Sequence, residues 1–467
     1  MRAALVMLFP LAPQPEPGLG DAPRSGRRRA GYIGIQVAAV CIAAIVLLPR
    51  IGGVPSWDSV YAEDQGVFLV DALAHPWHLI VPYGGYEELM PRLIGQLVSY
   101  VPLADVAAAY ALTGAVIAGL CALLIYHTMD GWIRSPWLRA LVGASLILLP
   151  LAPIEIADNG VNTPWYTLVA LFFGFLWRPK GWAGMTAVAL VAFASSSSEI
   201  LALIYAPLVL MRLVALPRWR EHAVTAGWLA GLLVQLPVVL ETYTQHTQRL
   251  ARLATPGQAL GFYFHNVALR ALGWRVSLHL VQFAGLNGAT VIVCAILAAV
   301  FGWALVTGGR QCRVFVAVAL IMGFAEAVFA ATVVPYVITQ PYVFDFEGGS
   351  RYSALPIMAM TAAATVAVDT YLRRRAEARQ PGAAGGDRIA LAGQRPWALV
   401  AVVVLVGVLA VGWASDYRYL TERIAWGRWQ PRAQHLLTTC EHSSSGTITT
   451  WTWGGGTITI PCSRLHG

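Results

Sequence analysis

Eleven stretches of the chain are apolar for so long that they demand a hydrophobic surrounding. They run roughly over 31–49, 104–126, 138–156, 164–177, 181–196, 199–216, 222–240, 287–307, 314–335, 352–371 and 397–415. A helix needs about 17–25 predominantly apolar residues to cross the hydrocarbon core of a bilayer, and the fourth and fifth stretches are short for that purpose. Composition agrees with the pattern. Of 467 residues, 57% are hydrophobic and 12% charged, whereas a soluble domain carries about 25% charged residues. So little charge cannot coat a water-soluble surface on a chain this long. A soluble enzyme, a disordered chain and a nucleic-acid-binding domain are excluded, and no nucleic-acid partner is expected. The expected fold is an all-α polytopic membrane protein whose constant partner is the lipid bilayer. No internal repeat of the kind found in inverted-repeat transporters is visible.

The formal charge of +8 carries information through its placement. Lys and Arg concentrate in cytoplasmic loops. With eleven spans and the N-terminus inside, 20 of the 32 basic residues fall on the inner side, including Arg27–Arg29, Arg212, Arg310 and the six from Arg373 to Arg395. Of the 24 acids, 16 fall outside, and Glu326 lies within the ninth span. The reading is a multi-pass plasma-membrane protein with a cytoplasmic N-terminus and an extracytoplasmic C-terminus. It divides into a disordered N-terminal segment (1–30), a transmembrane core (31–371), a cytoplasmic linker (372–396), a last span (397–415) and an outer tail (416–467). A cleaved signal peptide is not expected, because the basic cluster immediately precedes the first span.

Cysteine usage fits this topology. Cys41, Cys121 and Cys294 lie within spans and Cys312 at an inner end, where they read as small buried hydrophobes. Cys440 and Cys462 lie in the outer tail and bracket a segment from Ile448 to Ile460 that alternates β-branched and aromatic residues around a glycine triplet. That pattern predicts a β-hairpin closed by a disulfide.

Polar chemistry gathers on the outer side. The first outer segment contains Glu63 and Asp64, then Pro82-Tyr-Gly-Gly-Tyr86-Glu-Glu-Leu-Met-Pro-Arg92. Val67–Ala74 and Leu93–Tyr100 read as two short helices lying in the membrane interface. Glu63 and Asp64 stand at the start of the first, where a helix dipole also favours acids. The outer ends of the third to sixth spans supply Glu155, Asp158, Asn159, Asn162, Trp165, Ser195–Ser198 and Glu199. Helix capping accounts for Asn162 or Ser198 singly, but a recessed polar cavity accounts for the whole set, since lipid cannot satisfy such groups. Later outer segments add His246, Arg249, Arg252, Arg275, His279, and Arg351-Tyr352 at the mouth of the tenth span. Arg suits bidentate phosphate recognition, while headgroup anchoring is the plainer role for any one of them. Two acids in an oxygen-lined recess could hold Mg²⁺ or Mn²⁺, though nothing in the sequence demands metal.

No Walker loop, HExxH, CxxC, GxSxG or dinucleotide fingerprint is present, so work on the outer face needs an already activated substrate. With its first-loop acidic pair in Ala-Glu63-Asp64-Gln-Gly-Val-Phe, the chain resembles the GT-C superfamily of glycosyltransferases. That superfamily includes protein O-mannosyltransferases, aminoarabinose transferases and mycobacterial arabinofuranosyltransferases. Asn162-Thr-Pro-Trp165 also looks like a pattern of uncharacterised actinobacterial membrane proteins of this kind. The resemblance is architectural over roughly 30–370. It implies a polyprenyl-phosphate sugar donor, transfer to a glycan, lipid or protein acceptor of the cell envelope, and catalysis by Glu63 or Asp64, with Asp64 favoured. The candidate substrate-binding set is Arg92, Tyr86, Asp158, Asn159, Asn162, Trp165, Glu199, Arg275, His279, Arg351 and Tyr352. Two other classes stay open: a transporter or flippase for a lipid-linked or anionic precursor, with Glu326 on its pathway, and a non-catalytic subunit of envelope synthesis.

The charge distribution gives a direct test of orientation. A reporter active only outside the cytoplasm is expected to work when fused after Gly467 and to fail when inserted within Ala383–Gly386. Reversal of both results contradicts the orientation.

Overall fold

The computed structural model describes residues 5–11, 26–150, 152–242, 254–333, 350–378, 395–420, 427–443, 445–451 and 457–465. Seven helices are long and apolar enough to cross a membrane: Ala30–Arg50, Leu103–Gly131, Pro136–Glu155, Trp219–Glu241, Trp274–Thr307, Arg310–Thr332 and Ser350–Glu377. Three of the other four predicted stretches are helical but shorter than a full crossing, Thr163–Leu176, Trp182–Ser196 and Ile200–Ala215, and the fourth lies in the helix Arg395–Ser415.

In chain order the helices used below are α1 (Gly26–Leu47), α2 (Val70–Ala74), α3 (Leu89–Val98), α4 (Val106–Thr128), α5 (Pro136–Ile147), α6 (Ala152–Glu155), α7 (Thr163–Leu176) and α8 (Trp182–Ser196). They continue with α9 (Ala206–Ala215), α10 (Ala223–Glu241), α11 (Pro256–Phe262), α12 (Trp274–Thr307), α13 (Arg310–Val333), α14 (Ala354–Ala378), α15 (Arg395–Ser415) and α16 (Trp429–Glu441). Three boundaries differ from the sequence reading. The third stretch breaks after Ile147 and resumes only for Ala152–Glu155. α12 begins at Trp274, ahead of the predicted start at 287, and carries Arg275 and His279. α14 runs to Ala378, beyond the predicted boundary at 371.

At the centre lies α7, with every residue from Thr163 to Leu176 buried. A helix apolar on all sides is stable only where protein surrounds it. It packs against α4 and α8, and α8 in turn packs along α10. The interrupted ends of these helices leave carbonyls that lipid cannot satisfy, and two wholly buried arginines take them. Arg212 donates to the carbonyls of Phe175, Trp177 and Glu221. Arg50 donates to those of Ile147, Leu149, Asp416 and Tyr417. At the other kind of helix end, Asp416 accepts from the backbone N–H groups of Trp274 and Arg275 and so caps α12.

The first interhelical loop contains the two predicted short helices. One is a π-helical turn, Asp64–Leu69, leading into α2; the other is α3. Gly95 of α3 allows close approach, because a Cβ there would lie 2.8 Å from the Phe68 carbonyl oxygen. α3 buries Ile94 and Val98 while exposing Leu93 and Leu97, an arrangement suited to an interfacial helix. The tail covers this loop. Trp429 and Ala433 of α16 join Leu69, Val70, Leu73, Ile94 and Val98 in one apolar cluster, and the Trp429 indole donates to the Leu103 carbonyl over 2.6 Å.

The tail hairpin is present. Strand β3 (Thr447–Trp451) pairs antiparallel with β4 (Thr457–Pro461), placing Thr449 opposite Thr459; residues 452–456 between them lie outside the described residues. Ile448 and Ile460 face the cluster over the loop. Cys440 and Cys462 are bonded to each other, joining α16 to the end of the hairpin. Two shorter strands, β1 (Ile51–Gly52) and β2 (Tyr419–Leu420), tie the end of the first predicted span to the start of the tail.

Closing a loop of this length stabilises the folded tail by about 3 kcal/mol. Reduction, or replacement of both Cys440 and Cys462 by Ser, is expected to lower the protection of α16 amides against hydrogen exchange by a comparable amount while the helical bundle stays protected. Unchanged protection in α16 contradicts a stapling role.

Candidate functional site

The adjacent acids Glu63 and Asp64 are separated by the fold into two environments. Asp64 is fully buried, and its two carboxylate oxygens accept from the backbone N–H groups of Gly160 (2.8 Å) and Val161 (2.7 Å). The Tyr110 hydroxyl donates to the Asp64 carbonyl at 3.1 Å. Gly160 is required here, since a Cβ would come within 2.9 Å of Asp64 Oδ1. Asp158 allows the same turn by adopting a left-handed backbone, φ +56°. Asp64 therefore fastens the first loop to the turn between α6 and α7. Glu63 is half-buried and lies under the electrostatic influence of Arg351 and Glu155. Burial, the largest influence, raises its carboxyl above the ordinary value, opposed by its backbone hydrogen bond and by Arg351.

The turn before α3 is tied down from several sides. Glu87 N–H donates to Gln235 Oε1 (2.9 Å), and Gln235 Nε2 donates back to the Glu87 carbonyl (2.8 Å). The Thr242 hydroxyl donates to the Gly85 carbonyl, and the Met90 N–H to the Ser198 hydroxyl at 2.8 Å. These bonds bring Glu88 under the influence of Glu199, the residue that follows the serine run. Burial, then Glu199, hold the Glu88 carboxyl well above its ordinary value; Arg351 acts in the opposite sense. Tyr86, also raised well above its ordinary value by burial, faces Glu88, Glu199, Tyr352 and Arg351.

Arg351 joins these pieces. Its guanidinium lies 3.3 Å from Glu155 Oε1 and donates to Asn162 Oδ1 at 3.4 Å. Glu155 Oε2 accepts from the Arg351 N–H and the Ser350 hydroxyl, each at 3.2 Å. Glu155 thus pairs with the side chain and also holds the backbone at the start of α14. Its own carbonyl accepts from the side-chain amides of Asn159 and Asn162. The guanidinium lies over the Tyr352 ring at 5.3 Å, and that ring meets Trp165 edge-on at 4.9 Å.

Of the predicted set, Glu63, Tyr86, Asn162, Trp165, Glu199, Arg351 and Tyr352 gather here, with Asn159 supporting the turn. Arg92 belongs to a separate buried cluster, 3.0 Å from Asp71 and 3.6 Å from Glu87, over the Phe68 ring. Arg275 engages the tail through the Arg418 carbonyl, and His279 meets Gln282 beside it. Asp158 acts on Arg50. His246, Arg249 and Arg252 lie outside the described residues. Glu88 and Glu155 complete the cluster without having been singled out as binding residues. The run of four serines before Glu199 pointed to their surroundings, and the glutamine inside α10, which the sequence reading did not single out, is the further signal that could have done so. Glu326, fully buried in α13, comes under the influence of Glu199, and among the described residues neither of its carboxylate oxygens has a hydrogen-bond partner. Among the described residues no three His, Cys, Asp or Glu side chains are grouped so as to hold a metal ion. No protein-family model matches the chain, and a search of curated proteins finds no significant relative.

Two outcomes follow from this geometry. Asp64→Asn deprives a backbone N–H of its charged acceptor and is expected to cost about 1–3 kcal/mol of stability, against less than about 0.5 kcal/mol for Glu63→Gln; thermal unfolding in detergent compares them. Burial raises the Glu87 carboxyl from 4.5 to about 7, opposed by Arg92. The folded state therefore keeps a proton that the unfolded state has already released, and stability falls as pH rises through that window and levels off above it. Glu87→Gln is expected to flatten this dependence; an unchanged slope contradicts the assignment.

Proposed function

We propose that the protein is a glycosyltransferase of the GT-C kind. It moves a sugar from a polyprenyl-phosphate donor to a cell-envelope glycan, lipid or protein on the outer face of the plasma membrane. In this reading all eleven helical stretches count as passes, with α7 among the short ones at the middle of the bundle. The observation that carries the proposal is the cluster itself, one arginine surrounded by the carboxyl groups of Glu63, Glu88, Glu155 and Glu199 and edged by Trp165 and Tyr352.

The chemistry assigned to these groups is a displacement at the anomeric carbon. Glu63 takes the proton of the acceptor hydroxyl as the sugar gains oxocarbenium character, and polyprenyl phosphate leaves. Glu63 suits this task better than Asp64, whose oxygens already serve backbone donors. A carboxyl raised by burial is also the stronger base near neutral pH. Arg351 stabilises the charge developing on the leaving phosphate. The Trp165 and Tyr352 rings offer apolar surface to the sugar.

Glu63→Gln is expected to cut transfer by about 10²–10⁴-fold with donor binding retained, measured with purified protein and a labelled polyprenyl-phosphate sugar. Arg351→Lys is expected to weaken donor binding, because the charge is kept but the planar fork is lost. Full transfer by the Glu63→Gln, Asp64→Asn double variant contradicts the assignment. Glu326 within α13, without a hydrogen-bond partner among the described residues, favours a second reading, transport of a lipid-linked precursor; flux across vesicles without transfer is its signature.

A further inference from the structure

α7 runs from Trp165 at the cluster to Leu176 at the opposite end of the bundle, where the chain turns through Trp177–Gly181 into α8. At the same end α9 stops at Ala215, and the chain turns through Leu216–His222 into α10. These two turns are fastened together. The buried Arg212 donates to the Phe175 and Trp177 carbonyls on one side and to the Glu221 carbonyl on the other. Arg178 Nε donates to Glu221 Oε1 at 2.8 Å. On this base the rings of Trp182 and Trp219 meet at 6.0 Å, and the Arg220 guanidinium lies 5.5 Å and 5.6 Å from their centres. Both indoles are nonetheless exposed, by 63% and 68%. The neighbouring outward side chains are apolar, Leu190 on α8 and Leu210 and Leu213 on α9. The paired indoles therefore stand where a lipid-facing surface gives way to charge, the position that Trp favours at a membrane–water boundary. The charge there is positive. Glu221 is the single acid in 177–182 and 216–222, and Arg178 takes it. Lys180 acts on Asp130, which also accepts from the Trp177 indole at 3.2 Å. Arg218 and Arg220 are exposed and form no ion pair among the described residues.

We infer that Arg220, seated against Trp182 and Trp219 with Arg218 beside it, binds the headgroup of an anionic phospholipid. An aromatic ring is no strong hydrogen-bond acceptor, so a guanidinium held against two of them keeps its N–H donors for a phosphodiester. The indoles lie against the glycerol backbone, and the acyl chains follow the apolar faces of α8 and α9. A zwitterionic headgroup carries an ammonium that the two arginines repel, whereas phosphatidylglycerol carries none. Free phosphate gains nothing from the rings or from the leucines, which is why a lipid is the occupant assigned. The site is separate from the transfer reaction proposed above and does not depend on it.

The test is native mass spectrometry of the purified full-length protein in detergent, titrated separately with phosphatidylglycerol and with phosphatidylcholine of the same acyl chains. The expected result is a first phosphatidylglycerol bound at least about tenfold tighter than phosphatidylcholine, and not displaced by excess inorganic phosphate. Arg220→Gln should weaken that lipid by about fivefold, and Trp182→Ala should weaken it with the charge unchanged. Arg134→Gln is the charge-matched control. It removes another exposed arginine, 3.9 Å from Glu377, and should leave the first lipid in place. All three side chains are exposed, so the variants fold, and thermal unfolding in the same detergent verifies it. Equal binding of the two lipids, equal losses in Arg220→Gln and Arg134→Gln, or displacement by inorganic phosphate overturns the inference. A dimer in the same spectra that disappears in Trp182→Ala, without a lipid preference, assigns the patch to a second copy of the chain and overturns it as well.

Discussion

Glu155 and Arg351 meet across a gap of nearly two hundred residues in sequence, beside the break in the bundle that follows Ile147. The chain leaves a helical path after Ile147 and makes only the single turn of α6 before the sequence around Asp158. From the other side, α14 starts at the pair itself. Each interruption exposes backbone groups that hydrocarbon cannot satisfy. Glu155 answers with its carboxylate to the backbone and side chain of Arg351 and with its carbonyl to Asn159 and Asn162. That pair, together with the edge-on contact of Tyr352 and Trp165, fixes the turn before α14 to the entrance of α7.

Elsewhere the fold reuses the same device. Arg50 and Arg212 collect carbonyls at helix ends, Asp416 and Asp64 collect N–H groups, and all four are buried. These side chains serve the backbone first, which separates them from the groups open to chemistry. Glu63, Glu88 and Glu199 do not carry an interruption of the chain, although Glu199 caps the turn that follows it through the Leu201 N–H. The division between anchoring acids and surplus acids is the physical basis for assigning the base to Glu63.

Helix positions were legible in the sequence because apolar length is a local property; all eleven stretches proved helical, including the short ones near 164–177 and 181–196. The hairpin and its disulfide were legible for the same reason, since strand alternation and the flanking cysteines lie within one short segment. The site was legible only as a collection of types. Asp64 and Glu63 are indistinguishable as neighbours in a sequence, and only the approach of Gly160 and Val161 tells them apart. Arg92 shows the same difficulty. It was counted among the substrate-binding candidates, but Asp71 and Glu87 enclose it. Glu88 depends on the Gln235, Thr242 and Ser198 contacts, which join segments over a hundred residues distant and leave no local periodicity to read.

The account rests on Glu155 and Arg351 acting as one unit, and a double-mutant cycle measures that directly. Glu155→Gln, Arg351→Met and the double variant would be compared by reversible unfolding in mixed micelles. A coupled, largely buried pair predicts single losses of about 1.5–3 kcal/mol and a double variant less destabilised than their sum by at least about 1 kcal/mol. Additive losses would mean that the two side chains act independently, and the cluster would lose the contact that assembles it.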